Sequence, residues 1–501
     1  MKRYVVTLDQ GTTSSRAMLI DKQAHVCGVV QRPFEQLYPQ PGWVEHDPQE
    51  ILASQLGSLT ELLVSHRLTV DDIDSIGITN QRETTVVWNR ETGQPVCNAI
   101  VWQCRRTADI VERLCGEEAV SKEVQARTGL LPDAYYSASK IRWILDNIPG
   151  AQEDAEQGKL AFGTIDCWLI WTLTHGRVHA TDVTNASRTM LYNIHEGCWD
   201  PWLLELFDIP ASLLPEVRPS ASMYGVTTHP AIPDGIPICG VAGDQQAALF
   251  GQCCFFPGQA KNTYGTGCFL LMNTGATPAQ STHNLSTTIA ASAPGVAHTE
   301  YALEGSVFVA GALMQWLRDE LELISDVAET EELARSVEDT NGVYVVPAFT
   351  GLGAPYWDAQ ARGAIVGLTR GAKRAHIVRA ALEALAYQTS DLVIAMEADS
   401  GVTLSRLSVD GGASANNFLM QFQSDILERE LRRPVNTETT ALGAAFLAGL
   451  TTGFWKDLDA ICALRSADTL FRPNMEHDTR MKLLRGWEHA VRRTRGDLDE
   501  N

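Results

Sequence analysis

No apolar run in the 501 residues reaches the ~18 that a helix needs to cross a bilayer; the nearest, Ala441–Leu450, is too short, so no membrane insertion is expected. Cysteine is present at eleven positions, but without a CxxC pair or a Cys/His ligand spacing, and Cys253 and Cys254 are neighbours. Reduced, mostly buried thiols account for this better than a disulfide framework or a zinc site. The sequence also lacks a long block of like charge. Its net charge of −21 is spread along the chain, which argues against a general nucleic-acid or anionic-membrane surface and leaves room for a local basic pocket. Met1-Lys2-Arg3 runs straight into a strand pattern without the apolar segment of a signal peptide, and a cytoplasmic location is expected. What is present, 45% apolar and 20% charged residues, is the composition of a globular protein. The length calls for roughly two to four domains.

The chain is organised around Leu8-Asp9-Gln10-Gly11-Thr12-Thr13-Ser14-Ser15-Arg16, a polar turn between the apolar runs Tyr4–Leu8 and Ala17–Ile20, which read as paired strands. Gly11 permits backbone conformations in which successive N–H groups and the neighbouring hydroxyls converge on an anion. Arg16 adds a fixed positive charge, and Asp9 stands where a carboxylate could hold a hydrated Mg²⁺. Taken alone, the stretch reads equally as a polar hairpin. A second strand, Gly-Thr turn and strand follow at Ala260–Met272, around Gly265-Thr266-Gly267, which suggests two topologically related halves facing one nucleotide.

Elsewhere strands and helices alternate as in a mixed α/β protein. Asp47 and Pro48 open a helix that runs to about Ser65. The strand Ile73–Thr79 delivers Asn80-Gln81-Arg82-Glu83 to its carboxyl end, where open α/β sheets keep their ligands. Gly243-Asp244-Gln245-Gln246 precedes a small-residue helix. A helix is expected over Gly311–Leu323 and a long amphipathic one over His376–Glu397. Asp410–Asn417 reads as a strand end, two glycines and a helix with Asn417 as its N-cap, either a close approach to a flat ligand or a plain strand-to-helix turn. Ala441–Ala445 offers a small face for close packing near a hinge, and past Pro473 the chain is charged and helical with a frayed acidic tail.

Asp9–Arg16, Asn80–Glu83, Gly243–Gln246, Asn262–Phe269 and Asp410–Asn417, in this order, resemble the FGGY carbohydrate kinases nearly end to end, as do Tyr135–Trp143 and Gly363–Gly367 leading to His376–Glu383. The resemblance implies two ribonuclease-H-like α/β domains of the actin/Hsp70/sugar-kinase superfamily, residues 1–250 and 251–501, with MgATP and a polyol meeting in the cleft between them. Within the family the pattern implies glycerol as the acceptor, phosphorylated to sn-glycerol 3-phosphate. Such a transfer needs an in-line hydroxyl, a base for its proton and neutralised phosphate charge. Asp244 is the candidate base and, as a residue type, equally an N-cap of the helix after it; the resemblance favours catalysis. Arg82 can donate twice to vicinal hydroxyls, Glu83 and Asp244 can accept, and Tyr135 can do either. Gln245 completes the polar set, while Trp102 and Phe269, matching aromatics in the family, would pack on the carbon chain.

For ATP or ADP the resemblance carries over Thr12, Thr13, Ser14 and Arg16 in the first turn, Thr266 and Gly267 in the second, Gly311 and Gln315 beside the nucleotide, and Gly412 and Asn416 at the adenosine. Asp9 would hold Mg²⁺ through water. Relatives form dimers or tetramers, and a homodimer or homotetramer is expected. One departure concerns regulation. Where some relatives carry a glycine-rich basic loop for fructose 1,6-bisphosphate, this chain has Thr227–Gly235, and no lysine or arginine occurs from Pro219 to Ala260, so that inhibition is expected to be weak or absent. His229 near that loop reads as a surface histidine rather than a target of a sugar-transport phosphocarrier. Glu476 alone resembles a contact to a transport-system regulator. Two other readings remain: a pentulose or gluconate kinase of the same family, and an actin- or chaperone-like ATP switch without an acceptor.

Overall fold

The computed structural model describes residues 2–296, 298–358, 360–465 and 468–495. Strands β1 (Tyr4–Gln10) and β2 (Ser14–Asp21) form the first hairpin, and their antiparallel ladder runs past the apolar stretches to pair Asp9 with Arg16 and Gln10 with Ser15. β3 (Val26–Pro33) pairs with β2. Helix α1 (Pro48–Ser65) then starts as expected, the Asp47 carboxylate accepting the Gln49 amide at 2.8 Å. It returns the chain to β4 (Ile73–Asn80), parallel to β1. After an insertion with its own core, around Val87, Ile141, Phe162 and Leu191, β5 (Ala221–Val226) pairs antiparallel with β6 (Pro237–Gly243), which lies parallel to β4. The sheet order is β5-β6-β4-β1-β2-β3. Helix α2 (Asp244–Gly251) leaves the end of β6.

The second half repeats the plan. β7 (Gln259–Tyr264) and β8 (Cys268–Gly275) form the second hairpin, β9 (Ser286–Ile289) and β10 (Tyr301–Val307) extend it, and helix α3 (Gly311–Asp319) follows. That helix ends at Asp319, a turn short of the expected Leu323. Helix α4 (Arg374–Ser400) crosses to β11 (Arg406–Asp410), parallel to β7; helix α5 (Asn417–Leu427), β12 (Leu431–Arg433), helix α6 (Thr439–Thr452) and β13 (Thr469–Phe471) complete the half. The order β9-β10-β8-β7-β11-β12-β13 has the first sheet's pattern: an antiparallel trio, then two parallel strands. The repeat that the two Gly-Thr turns suggested is therefore one of topology. The acidic tail expected after residue 495 lies outside the described residues.

Alternation along each strand sends side chains to opposite faces. Val6, Leu8, Ala17 and Leu19 pack under α1, whereas Val5, Met18 and Ile20 pack against Ala441, Ala445 and Phe446 of α6. Thus a helix from the second half covers one face of the first sheet. It also lies on α2 so closely that a Cβ at Gly443 would overlap the Ala247 carbonyl oxygen. Leu249 of α2 in turn meets Leu271 and Ala302 of the second sheet. The α2–α6 pair is wedged between the sheets, and the residue that begins α2 is Asp244.

Candidate active site at the junction of the halves

Both Gly-Thr turns sit at the carboxyl ends of their first strands. Gly11 N–H donates to the Ser14 carbonyl at 2.9 Å and Gly265 N–H to the Gly267 carbonyl at 2.8 Å, so each turn is closed on itself. Among the described residues, the amides of Thr12, Thr13, Thr266 and Gly267 find no protein acceptor, which leaves a set of donors fit for phosphate oxygens. Gln81 supports the first turn: its side-chain amide donates to Gln10 Oε1 at 3.0 Å and to the Gly11 carbonyl at 3.2 Å. Gln31 donates to Ser14 Oγ at 2.8 Å. Arg16 is not held free for a phosphate. Its guanidinium pairs with Asp9 and, at 2.8 Å, with Glu438 at the start of α6. Burial raises the Asp9 pKa and Arg16 only partly offsets it. No group of three or more metal-ligating side chains exists among the described residues. The single carboxylate of Asp9 beside the first turn fits Mg²⁺, which keeps most of its waters and needs only one or two carboxylates beside substrate phosphates.

Arg82 and Glu83 follow β4, and Glu83 takes a left-handed backbone conformation, φ 61°. The two do not form the exposed pair that neighbouring charges suggest: both are almost wholly buried. Arg82 spends its terminal nitrogens on Glu304 of β10, at 2.5 and 2.7 Å, so the twofold donation expected of it goes to a carboxylate of the opposite half. Its Nε remains, 3.3 Å from Asp244 Oδ1 and 3.9 Å from Glu83 Oε1. Arg188 donates from Nε to Glu83 at 2.7 Å, approaches Glu304 at 3.4 Å and lies beside the rings of Tyr135 and Tyr136. Burial alone would raise the pKa of Glu304, but Arg188 and Arg82 together hold it at about 2.

Trp102 and Tyr135 stand edge to face with centroids 5.5 Å apart, and the Trp102 indole donates to Thr12 Oγ1 at 3.1 Å, tying the aromatic pair to the first turn. Buried Lys140 fixes the backbone of Tyr135 by donating to the carbonyls of Ala134, Tyr135 and Tyr136. Asp244 is not an N-cap. Gly243 occupies that place and Asp244 is the first residue of α2, about one-third exposed, accepting from the Gln245 amide at 2.8 Å and from Gln245 Nε2 at 3.1 Å. Phe269 shares a ladder row with Thr263 and Ser306, and two rows along, on the same face, Lys261 shares one with Leu271 and Glu304. Directly paired residues share a face, so Phe269, Lys261 and Glu304 all belong to the face turned toward α2.

At the nucleoside side, Gly311 begins α3 against the second turn, its amide donating to the Gly265 carbonyl at 2.9 Å, and Gln315 is exposed one turn on. Gly411 has φ 84°, and a Cβ there would overlap the Tyr264 carbonyl; Gly412 faces open space. The N-cap of α5 is Asn416, not Asn417: its Oδ1 accepts the Leu419 amide at 3.0 Å and its Nδ2 donates to Thr330 at 3.1 Å. Asn417 is already helical. Glu304, Arg188, Lys261 and Glu438 escaped sequence reasoning because each lies in an ordinary strand or loop pattern. Charged residues inside the apolar strands at Lys261 and Glu304 were the one available signal.

Matched sheets, each with a closed Gly-Thr turn, and buried charges joining them define a two-domain phosphotransferase fold of the actin, Hsp70 and sugar-kinase type. Residues 4–251 match the N-terminal domain of the FGGY family of carbohydrate kinases and residues 260–452 its C-terminal domain. The chain belongs to that family. It is 58% identical over 501 residues to the glycerol kinase of Clostridium beijerinckii, covering all of both chains. It is 59% identical over 496 residues to that of Carboxydothermus hydrogenoformans, covering 99% of this chain and 98% of the relative. Among solved structures, Plasmodium falciparum glycerol kinase with ADP superposes with a TM-score of 0.94 at 39% identity, over 98% of each chain. A xylulose kinase from Rhodospirillum rubrum gives 0.86 at 25% identity, over 98% of this chain and 99% of the other.

Proposed function

We propose that this chain transfers the γ-phosphoryl group of MgATP to glycerol, giving sn-glycerol 3-phosphate and ADP. The observation that carries the reading is the joining of Arg82 Nε to Asp244 Oδ1 at 3.3 Å, beside the Trp102–Tyr135 pair. A donor, a carboxylate and an aromatic wall then meet at one point, as a small polyol requires. The whole-length likeness to glycerol kinases supports that acceptor over a pentulose or gluconate. Glu83, Tyr135 and Gln245 add hydrogen bonds to the hydroxyls and Phe269 packs on the carbon chain. An acceptor lacking a hydroxyl leaves these buried polar groups unpaired, which is how such a site discriminates.

In the reaction Asp244 accepts the proton of the attacking hydroxyl. The amides of Thr12, Thr13, Thr266 and Gly267, with the Ser14 hydroxyl, bind the phosphates and hold the γ-phosphorus in line. Asp9 would hold hydrated Mg²⁺, which supplies charge neutralisation on the phosphate oxygens. Arg16 turns from Glu438 toward the phosphates as they bind. Gly311, Gln315, Gly412 and Asn416 border the nucleoside. The halves divide near Gly251, residues 1–250 bringing the polyol site and the first turn, and residues 251–501 the second turn and the adenosine side; closing on both substrates excludes water.

The test is ADP release with MgATP and glycerol, dihydroxyacetone, xylulose, ribulose or gluconate, for the protein and for Asp244→Asn. Turnover mainly with glycerol, reduced roughly 10²- to 10⁴-fold by the substitution, is expected. Faster turnover of a pentulose would refute the acceptor, and acceptor-independent turnover untouched by the substitution would refute the kinase reading.

A further inference from the structure

Lys261 is fully buried on β7, yet among the described residues no carboxylate comes within salt-bridge distance of its ammonium. Its partners are Gln245 Oε1 and, at 3.1 Å, Thr263 Oγ1. A buried cation held only by neutral oxygens is costly, and nothing in the packing of the second sheet calls for one. Its contact with Gln245 crosses from the second half to the residue beside the candidate base.

The geometry determines what this contact does. An ammonium has donors only, so Gln245 must turn its oxygen toward Lys261, and its Nε2–H₂ therefore faces Asp244, donating to Oδ2 at 3.1 Å. A neutral partner would leave the amide free to turn over and set its oxygen against the carboxylate. Asp244 Oδ1 already faces the Gln245 amide at 2.8 Å and Arg82 Nε at 3.3 Å. With Gln245 Nε2 on Oδ2, a carboxylate with about four acceptor sites retains one, on Oδ2.

Resting on the reaction assigned above, we propose that Lys261 is a positioning residue: through the Gln245 amide it aims the free lone pair of Asp244 Oδ2 at the attacking hydroxyl. The charged groups around Lys261 are Asp244 and Arg82 of the first half and Asp410 and Glu304 of the second. Burial, the largest influence, lowers its pKa to about 8 against the pull of the three carboxylates.

Lys261→Met is expected to lower kcat with glycerol on the order of ten- to a hundredfold, with the KM for MgATP changed less than about threefold. Gln245→Met should lower kcat at least as much, since it also removes a hydrogen bond to the acceptor, and the double variant should be no worse than Gln245→Met alone, because both break one relay. Gln245 is half-buried and outside the cores, so its variant keeps the test available if Lys261→Met unfolds. In the unsubstituted protein, kcat/KM for glycerol should fall above about pH 8 as Lys261 loses its proton, and Lys261→Arg should remove that limb. A folded Lys261→Met with kcat within threefold of the parent, or single effects that multiply in the double variant, would overturn the role. Absence of glycerol-dependent ADP release in the unsubstituted protein would instead overturn the reaction assignment, and this role with it.

Discussion

Glu304→Gln is the substitution on which the junction can be weighed. The glutamate takes both terminal nitrogens of Arg82, at 2.5 and 2.7 Å, and a third contact from Arg188 at 3.4 Å, and all three side chains are at most 4% exposed. The amide has the same size but no charge, and one of its two ends presents hydrogens to a guanidinium. Arg188 is left with Glu83, and Arg82 with Asp244 and Glu83 at its Nε and no carboxylate at its terminal nitrogens. Removing one partner of a buried pair costs about 3–5 kcal/mol. At 1.4 kcal/mol per factor of ten, that amounts to roughly two to three and a half decades if all of it falls on kcat/KM for glycerol. Part will appear as lost global stability, so urea unfolding should accompany the ADP-release assay, with the two losses together accounting for that range. A Glu304→Gln protein whose kcat/KM stays within a factor of three of the parent's and whose unfolding free energy changes by less than about 0.7 kcal/mol would refute the idea that Glu304 organises Arg82. The acid limb supplies an independent check. Glu304 titrates at about 2 in the fold, below its ordinary 4.5, so its contribution to stability is fully present above about pH 4.5 and is lost as pH falls toward 2. The stabilities of parent and variant should therefore converge across that window.

Asp9→Asn should raise the Mg²⁺ concentration for half-maximal activity about tenfold or more, since among the described residues no group of three or more metal-ligating side chains stands in for it; magnesium titration of the initial rate measures it, and an unchanged midpoint would contradict the assignment. Fructose 1,6-bisphosphate at millimolar levels should inhibit weakly or not at all. Residues 219–260 carry no lysine or arginine, and His229 in the loop, with its pKa lowered by burial and by nearby His175, is neutral at pH 7. Strong inhibition that disappears on changing Pro230–Gly235 would show that the loop binds the anion by other means.

Sequence alone was sufficient for features that depend on neighbours along the chain. The strand-turn-strand units around Gly11 and Gly265, the Asp47 cap and Pro48 start of α1, and the small-residue stretch of α6 follow from local backbone preference and short-range hydrogen bonding. The family motifs gathered the candidate site residues, and the structure brings Arg82, Glu83, Asp244 and Gln245 close to one another. A single-residue error arose where two identical residues competed for one local role: Asn416 rather than Asn417 caps α5.

Only the tertiary structure decided how the charges are shared. Arg82 and Glu304 are 222 positions apart, Arg188 and Glu83 are 105 apart, and Arg16 meets Glu438 across 422. No periodicity or spacing encodes such pairs, because the cost of burying a charge depends on which carboxylate the folded sheets bring within reach. Strand register places Lys261 and Glu304 in one row, and the wedge of α2 and α6 presses that row toward Asp244. The residue types that could handle a phosphate and a polyol were therefore legible in the chain, while the partner each one holds was settled by the packing of one half on the other.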